Sequence, residues 1–241
     1  MIRENAAAVQ GRIATAATRA GRSADDVTLV AISKTFPAAA IRAAWEAGIR
    51  HFGENRVQEW EGKRPDVADL AATWHLVGHL QSNKARRAAA LFHSVDSVDS
   101  LDLARRLDAA SRDSTGASTG QRLRVLLEVR LAPEETKTGA EPAELETIAR
   151  GVLLLPGLEL AGLMCVPPFA ENPERARPYF RRLRELCDAL RASLAAARPP
   201  AASPDAILPV LSMGMSHDFE VAIEEGATEV RVGSAIFGAR G

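Results

Sequence analysis

Short apolar segments rich in β-branched residues alternate along this chain with longer amphipathic segments, and no other feature of the sequence limits the possible folds as strongly. Apolar segments without strict polar alternation are typical of strands that are covered on both faces, as in a parallel sheet. The sequence predicts eight such strands, at residues 27–33, 49–52, 74–77, 91–95, 123–130, 158–165, 207–211 and 229–232.

The segments between the predicted strands carry the apolar spacing and the end signals of helices. Eight strands with helical crossovers predict a closed (β/α)8 TIM barrel, because closure removes both exposed edges of the sheet. An open, doubly wound parallel sheet is the alternative. Helices are predicted at residues 4–20, as an extra element before the first strand, and at residues 37–47, 97–111, 142–154, 173–197 and 216–225, with helix-compatible segments at residues 57–70 and 83–90.

The length of 241 residues agrees with one barrel domain over residues 1–241, because α/β barrels of about 250 residues commonly form a single domain. A formal net charge of -1 gives no reason to expect a nucleic-acid partner. No polybasic segment and no apolar run of ~20 residues predicts contact with a membrane. The sequence shows no signal peptide, and Cys165 and Cys187 are predicted core residues rather than a disulfide framework. We therefore expect a cytoplasmic monomer.

Function in a TIM barrel lies at the carboxyl ends of the strands, and Lys34 is predicted to lie there, after the first strand. Its stem would leave the barrel core and direct the amine into the mouth. Desolvation lowers the pKa of a lysine amine, which can then attack a carbonyl group and form an imine. The alternative is a lysine that extends from the strand end into solvent.

The turns after the last two strands have the composition of a phosphate site. Residues 212–216 and 232–235 both supply glycine, hydroxyl groups and backbone N–H groups, and the corresponding loops of TIM barrels commonly bind phosphate. Ordinary turn chemistry is the alternative, since Ser216 could simply cap a helix. Together with a reactive Lys34 across the mouth, these turns predict a phosphorylated aldehyde as the ligand.

Arg231 is predicted within the apolar last strand, near its carboxyl end. A buried guanidinium without partners is costly, so this side chain requires an acceptor. A ring nitrogen of a ligand would accept its N–H and would stay unprotonated. A salt bridge to a carboxylate on a neighbouring strand is the alternative.

Five segments in fixed order resemble the pyridoxal phosphate homeostasis protein family. The resemblance covers essentially the whole chain, and motifs of this length and order are specific. The matching segments are residues 30–35 (VAISKT), 51–55 (HFGEN), 74–84 (WHLVGHLQSNK), 211–216 (LSMGMS) and 230–238 (VRVGSAIFG).

The resemblance implies a fold-type III barrel similar to the N-terminal domain of alanine racemase, with pyridoxal 5'-phosphate (PLP) as cofactor. It implies an imine between PLP and Lys34 and a contact between Arg231 and the pyridine nitrogen. For Lys137, a solvated loop lysine is the alternative. The other residues that the resemblance assigns to cofactor binding are Asn55 beside the ring, Ser212, Gly233 and Ser234 at the phosphate, Met164 and Met213 in the pocket wall, and Lys137 as a second amine that could receive the aldehyde.

The expected function is that of a PLP carrier or buffer without catalytic residues, which would pass the cofactor transiently to apo-enzymes. The single tyrosine, Tyr179, is predicted on a helix away from the mouth, and the chain ends shortly after the last strand, so the tyrosine base of the racemases is not expected. A single-domain racemase or decarboxylase of amino acids is the alternative. A third hypothesis is a lysine-imine aldolase without cofactor. His75 and His79 are not expected to bind a metal, because i,i+4 spacing shares a face only on a helix.

Overall fold

A computed structural model of the protein describes residues 1–114, 122–132, 138–196 and 208–238. Within these residues, eight parallel strands pair in chain order and close into a barrel, because the last strand pairs with the first. The (β/α)8 TIM barrel is therefore confirmed, and the open sheet is wrong. The strands are β1 Thr28–Ile32, β2 His51–Glu54, β3 Thr73–Leu76, β4 Ser94–Val98, β5 Leu123–Glu128, β6 Leu158–Met164, β7 Val210–Met215 and β8 Glu229–Val232.

Helices cover the outside of the barrel and bury apolar faces against the strands. The predicted extra N-terminal helix is present at Ile2–Arg19, and it contacts the helices Phe219–Glu224 and Ser234–Phe237 at the end of the chain. Short 3-10 turns explain why the helices predicted to begin at residues 83, 142 and 173 begin two to four residues later. The helices are α1 Ile2–Arg19, α2 Ala38–Glu46, α3 Val57–Lys63, α4 Ala85–Leu91, α5 Leu101–Ser114, α6 Leu145–Leu153, α7 Arg177–Ala196, α8 Phe219–Glu224 and α9 Ser234–Phe237.

β2 begins two residues later than its apolar run at 49–52 predicts, and two further strands begin three residues later. The run at residues 91–95 was assigned to the fourth strand, but Leu91 ends α4 and β4 spans Ser94–Val98. The polar residues of β4 face the inside of the barrel, where hydropathy gives no signal of a strand. Similarly, β7 spans Val210–Met215 instead of residues 207–211, and residue 207 lies outside the described residues.

Gly214 shows why the end of β7 has the sequence of a loop. Its φ is +92°, and a Cβ at this position would lie 2.8 Å from the Cα of Phe219 at the start of α8. Glycine therefore permits both the unusual backbone conformation and the close approach of α8. The sequence predicts a loop here because of this glycine, whereas β7 continues through it.

The apolar core has a large part between strands and helices and a small part within the barrel. Leu126, Ala161 and Met164 form the small interior cluster. Cys165 and Cys187 are both buried and unbridged, as predicted for core residues. None of the helices within the described residues combines the length and the apolar character needed to cross a bilayer.

Candidate functional site

A pocket of about 380 Å³ opens at the carboxyl ends of the strands. Its size falls in the range of small-molecule sites, and its place is that of the active sites of TIM barrels. Five of the predicted cofactor-binding residues line it, together with residues that the prediction did not include. The lining residues are Ile32, Lys34, Phe36, Asn55, Val77, Val166, Phe169, Met215, Ser216, His217, Asp218, Arg231, Gly233, Ser234 and Gly238.

Lys34 lies in the turn that follows β1, and its side chain is half-buried. The preceding Ser33 is fully buried, and its N–H donates to the carbonyl oxygen of Gly53 at 3.0 Å, which continues the pairing of β1 with β2. The strand therefore fixes the backbone up to the residue before Lys34. The side chain of Lys34 leaves the backbone directly after a hydrogen-bonded residue, at the wall of the pocket.

The glycine–serine turn after β8 lies beside Lys34 and not across the mouth from it. Barrel closure pairs Ala31 with Val232, and a Cβ on Gly233 would lie 3.4 Å from the Cβ of Ile32. The prediction placed these two features on opposite rims, because the sequence does not say which strands become neighbours when the sheet closes. The strand end that carries Lys34 and the predicted phosphate turn are therefore adjacent.

Ser216 organises this turn from the end of β7. Its hydroxyl oxygen accepts the N–H of Gly233 at 3.1 Å and the N–H of Ala235 at 3.4 Å. The predicted alternative, a capping bond from Ser216 to its own helix, is not the role observed, because α8 starts later, at Phe219. The two glycine-bearing turns that the sequence singled out are thus joined into one polar surface with Ser234.

Arg231 is almost fully buried on β8 and extends its guanidinium into the base of the pocket. One terminal nitrogen, Nη1, donates to the Ser212 hydroxyl at 2.7 Å, and the other, Nη2, donates to the Cys165 carbonyl oxygen at 2.8 Å. Within the described residues these bonds replace the salt bridge considered as the alternative. They use two of the five guanidinium N–H groups, so donors remain for a ligand.

Ser212, Met213 and Met164 lie behind the pocket wall and not on its surface. The Ser212 hydroxyl accepts from Arg231 inside β7 and so holds the guanidinium, while its contact with a phosphate stays a prediction. Met213 and Met164 are both fully buried, Met213 in the main core and Met164 in the interior cluster. The later register of β7 explains this placement, because it moves the turn from Ser212 to Ser216.

Asn55 follows β2 and faces the pocket as a half-buried residue. Gly78, after β3, allows this placement, because a Cβ at residue 78 would lie 2.4 Å from the Asn55 carbonyl oxygen. The loops after β2 and β3 therefore touch through glycine. Lys137 lies outside the described residues, and its role as a second amine stays a prediction.

The pocket residues that the prediction omitted carry little signal in the amino-acid sequence. Phe36 and Phe169 resembled ordinary loop aromatics, although Phe169 is 80% exposed at the mouth. Asp218 is buried, and its carboxylate accepts the N–H of Met215 at 2.6 Å. Burial raises the pKa of Asp218 despite this bond.

His75 and His79 do not share a site. His79 is half-exposed, and its Nδ1 lies 3.6 Å from the Asp99 carboxylate. His75 is fully buried inside the barrel, where Nδ1 lies 3.0 Å from Asp96 and Nε2 lies 3.1 Å from His51 Nδ1. With Glu229, His75 and Asp96 offer three possible metal-ligand atoms within 4.8 Å of one another.

The charges around His75 balance without a metal ion. Burial acts against its charge, but the Asp96 carboxylate outweighs it and raises the pKa of His75. The pKa of Asp96 is lowered, because His75 outweighs the effect of burial. Arg124 lies 3.3 Å from Glu229 and balances that carboxylate. Both ring nitrogens of His75 are already engaged, so we interpret the group as an ion-pair network.

The barrel and its pocket define a class of protein, and the comparison with known families supplies its name. The family described as alanine racemase, N-terminal domain, matches residues 5–241. An alanine racemase from Corynebacterium glutamicum shares the fold, with a TM-score of 0.63 at 17% identity over 98% of this chain and 62% of that one.

Closer relatives narrow this class. A pyridoxal phosphate homeostasis protein from Pseudomonas aeruginosa is 45% identical over 240 residues, which are 99% of this chain and 96% of that protein. The structure of PipY from Synechococcus elongatus, solved with PLP bound, is similar with a TM-score of 0.82 and 37% identity, over 99% of this chain and 100% of that one. The chain belongs to the pyridoxal phosphate homeostasis protein family.

Proposed function

We propose that this protein binds PLP and acts in PLP homeostasis as a carrier or buffer that does not catalyse a reaction of its own. The observation that carries the proposal is that Lys34 and the turn formed by Ser216, Gly233 and Ser234 follow neighbouring strands and line one pocket. In PLP the aldehyde and the phosphate arm are on neighbouring carbons of the ring. A site for this cofactor therefore needs an amine beside a phosphate turn.

The donor groups of the pocket fit the rest of the cofactor. The volume of about 380 Å³ suits a single substituted ring with a phosphate arm. Hydroxyl and backbone N–H groups at Ser216 and Ser234 suit phosphate oxygens. Arg231 is a buried cation with N–H groups left over, which could donate to an acceptor on the ring.

When bound, PLP supplies an aldehyde carbon with which a lysine amine forms a C=N bond, with loss of one water molecule. Lys34 is the amine that we assign to this bond. Arg231 would donate to the ring nitrogen, and because a guanidinium stays protonated it would leave that nitrogen without a proton. A PLP ring whose nitrogen carries no proton is a weaker electron sink. This favours a protein that holds PLP over one that uses it for catalysis.

The racemase or decarboxylase alternative has less support from the pocket. The chain's single tyrosine, Tyr179, is on α7 and is not among the described residues that line the pocket. A racemase of this fold would need a second base on the opposite side of the ring from Lys34. The pocket offers Asp218 and His217 as titratable groups, and both are engaged by backbone atoms.

The remaining parts of the proposal concern partners and context. We propose that residues 1–241 form one domain, that the protein acts as a cytoplasmic monomer, and that it meets apo-enzymes only transiently. Lys137 is proposed as a second amine that accepts the aldehyde on its way out. Thr138, the next residue, donates its hydroxyl to Glu128 at 3.0 Å beside a second pocket, which shares Val77 and Val166 with the first.

A transfer experiment tests the carrier function. Holo protein, freed of unbound cofactor, is mixed with a PLP-dependent apo-enzyme, and the enzyme's activity is followed. We expect activity to return in proportion to the holo protein added, while the holo protein alone releases no α-deuterium from labelled amino acids. Cofactor that stays on the carrier, or deuterium loss that depends on Lys34, would refute the proposal.

Replacing Ser216 by alanine is expected to weaken PLP binding about fivefold, because it removes the acceptor that holds the N–H groups of Gly233 and Ala235, a loss of about 1 kcal/mol. The affinity for pyridoxamine 5'-phosphate, which has the phosphate but no aldehyde, should fall by the same factor. Equilibrium titration of both ligands measures this, with the exposed Ser82→Ala as control. Unchanged affinity in Ser216→Ala would show that the turn does not hold the phosphate.

A further inference from the structure

The turn that carries Lys34 has an unfavourable backbone conformation. The N–H of Phe36 donates to the Ser33 carbonyl oxygen at 3.1 Å, so residues 33–36 form a hydrogen-bonded turn with Lys34 and Thr35 as its central residues. Thr35 has a φ of +68°. This region is favoured by glycine and costs a β-branched residue free energy, so the surrounding structure must hold it in place.

Three charged side chains, one at the end of β2 and two on α3, bond to this turn. The Glu59 carboxylate accepts the N–H of Thr35 at 2.5 Å. The Lys63 ammonium donates to the Ser33 carbonyl oxygen at 2.9 Å. The Glu54 carboxylate accepts the Ser33 hydroxyl at 2.7 Å. The residues on both sides of Lys34 are therefore bonded to one group, which we call the Lys63 cluster: Glu54, Glu59 and Lys63.

The Lys63 cluster is held together by its own ion pairs. The Lys63 ammonium lies 3.1 Å from Glu54 and 2.6 Å from Glu59. Burial raises the pKa of Glu54. Burial also acts to raise the pKa of Glu59. The bonds of Glu59 to Lys63 and Thr35 outweigh this effect, so the pKa of Glu59 is lowered. Lys63 is thus the cation that keeps two carboxylates in contact with the turn.

None of the three residues of the cluster lines the pocket. Their effect on a ligand must therefore pass through the backbone of the turn. Lys63 is also unsuited to be the reactive amine, because its ammonium already contacts oxygen atoms of three residues. The Lys63 cluster has the geometry of a support for another residue, and the residue that it surrounds is Lys34.

We propose that Glu54, Glu59 and Lys63 are positioning residues that hold the Ser33–Thr35 turn and so set the direction in which the Lys34 amine enters the pocket. This inference rests on the proposed function, since it concerns how Lys34 reaches the PLP aldehyde. It assigns to an ion-pair cluster outside the pocket a role in the strength of the covalent linkage and not in the shape of the pocket.

Glu59→Ala tests the proposal with two ligands. PLP needs a correctly directed Lys34, whereas pyridoxamine 5'-phosphate has no aldehyde and needs only the pocket. We expect the affinity for PLP to fall about tenfold, which is about 1.4 kcal/mol, and that for pyridoxamine 5'-phosphate to change by less than about twofold. The pH titration of the visible absorption of bound PLP should shift as well. Glu61→Ala is the matched control on α3, since Glu61 pairs with Arg87 at the surface.

Equal weakening of both ligands would overturn the proposal, because the cluster would then support only the pocket. Unchanged affinity for both would overturn it too. Glu59→Gln provides a milder variant if the alanine variant does not fold, since its amide oxygen can still accept from Thr35; we expect a smaller loss for PLP alone. Absence of covalent PLP in the unaltered protein would instead refute the proposed function, which separates the two failures.

Discussion

Lys34→Ala is expected to weaken PLP binding by about a hundredfold or more, which corresponds to about 3 kcal/mol. The variant loses the amine that forms the covalent linkage but keeps the phosphate turn and Arg231. Pyridoxamine 5'-phosphate should therefore bind nearly as well as before. Titration of both ligands, with the visible absorption of bound PLP as a second signal, measures the effect.

Lys84→Ala is the control for this experiment, since Lys84 lies in a 3-10 turn after β3 and does not line the pocket. It should bind PLP as the unaltered protein does. Retention of PLP with unchanged affinity and absorption in Lys34→Ala would contradict the assignment of Lys34. Loss of both ligands would indicate a collapsed pocket, which circular dichroism would detect.

Asp96→Asn is expected to destabilise the fold by about 3–5 kcal/mol, the usual result of removing one partner of a buried ion pair. Asp96 is fully buried and bonded to His75 and to the hydroxyl of Ser94. The amide would leave the charge of His75 in the barrel interior without its counter-ion. Urea unfolding measures the loss, with the exposed Asp102→Asn as control, which should change the free energy of unfolding by about 0.5 kcal/mol or less.

The stabilisation from this pair depends on pH in a defined direction. The pKa of His75 is raised above 6.5, so its contribution is complete below that pH and is lost as pH rises through the folded-state pKa. The pKa of Asp96 is lowered below 3.8, so its contribution is complete above that pH and is lost in stronger acid. The difference between the unaltered protein and Asp96→Asn should shrink at alkaline pH, and a growing difference would contradict the ion-pair interpretation.

The sequence predicted the barrel because its signal is repeated: eight apolar segments, each followed by a helix, leave few other folds. It also predicted that Lys34 lies at the pocket, because a residue directly after an apolar barrel strand lies at the mouth of the barrel. Gly233 and Ser234 were identified by their composition, and they line the pocket as expected. Features that depend on local pattern could thus be derived from the chain alone.

Features that depend on which strands become neighbours could not be derived from the sequence. The closure of the barrel, which places Gly233 beside Lys34, is a contact between the two ends of the chain. The register of β7 moved the polar turn from Ser212 to Ser216, because a glycine inside a strand resembles a loop. Glu59 and Lys63 had no signal either, since acidic and basic residues on a short helix are usually solvated.

The chain has only four lysines, Lys34, Lys63, Lys84 and Lys137, so the central claim can be tested by one measurement. Holo protein is reduced with borohydride, digested, and searched by mass spectrometry for the lysine that carries the pyridoxyl group. We expect the pyridoxyl group on the peptide that contains Lys34. A reduced adduct found only on the other three lysines, or on none, would contradict it.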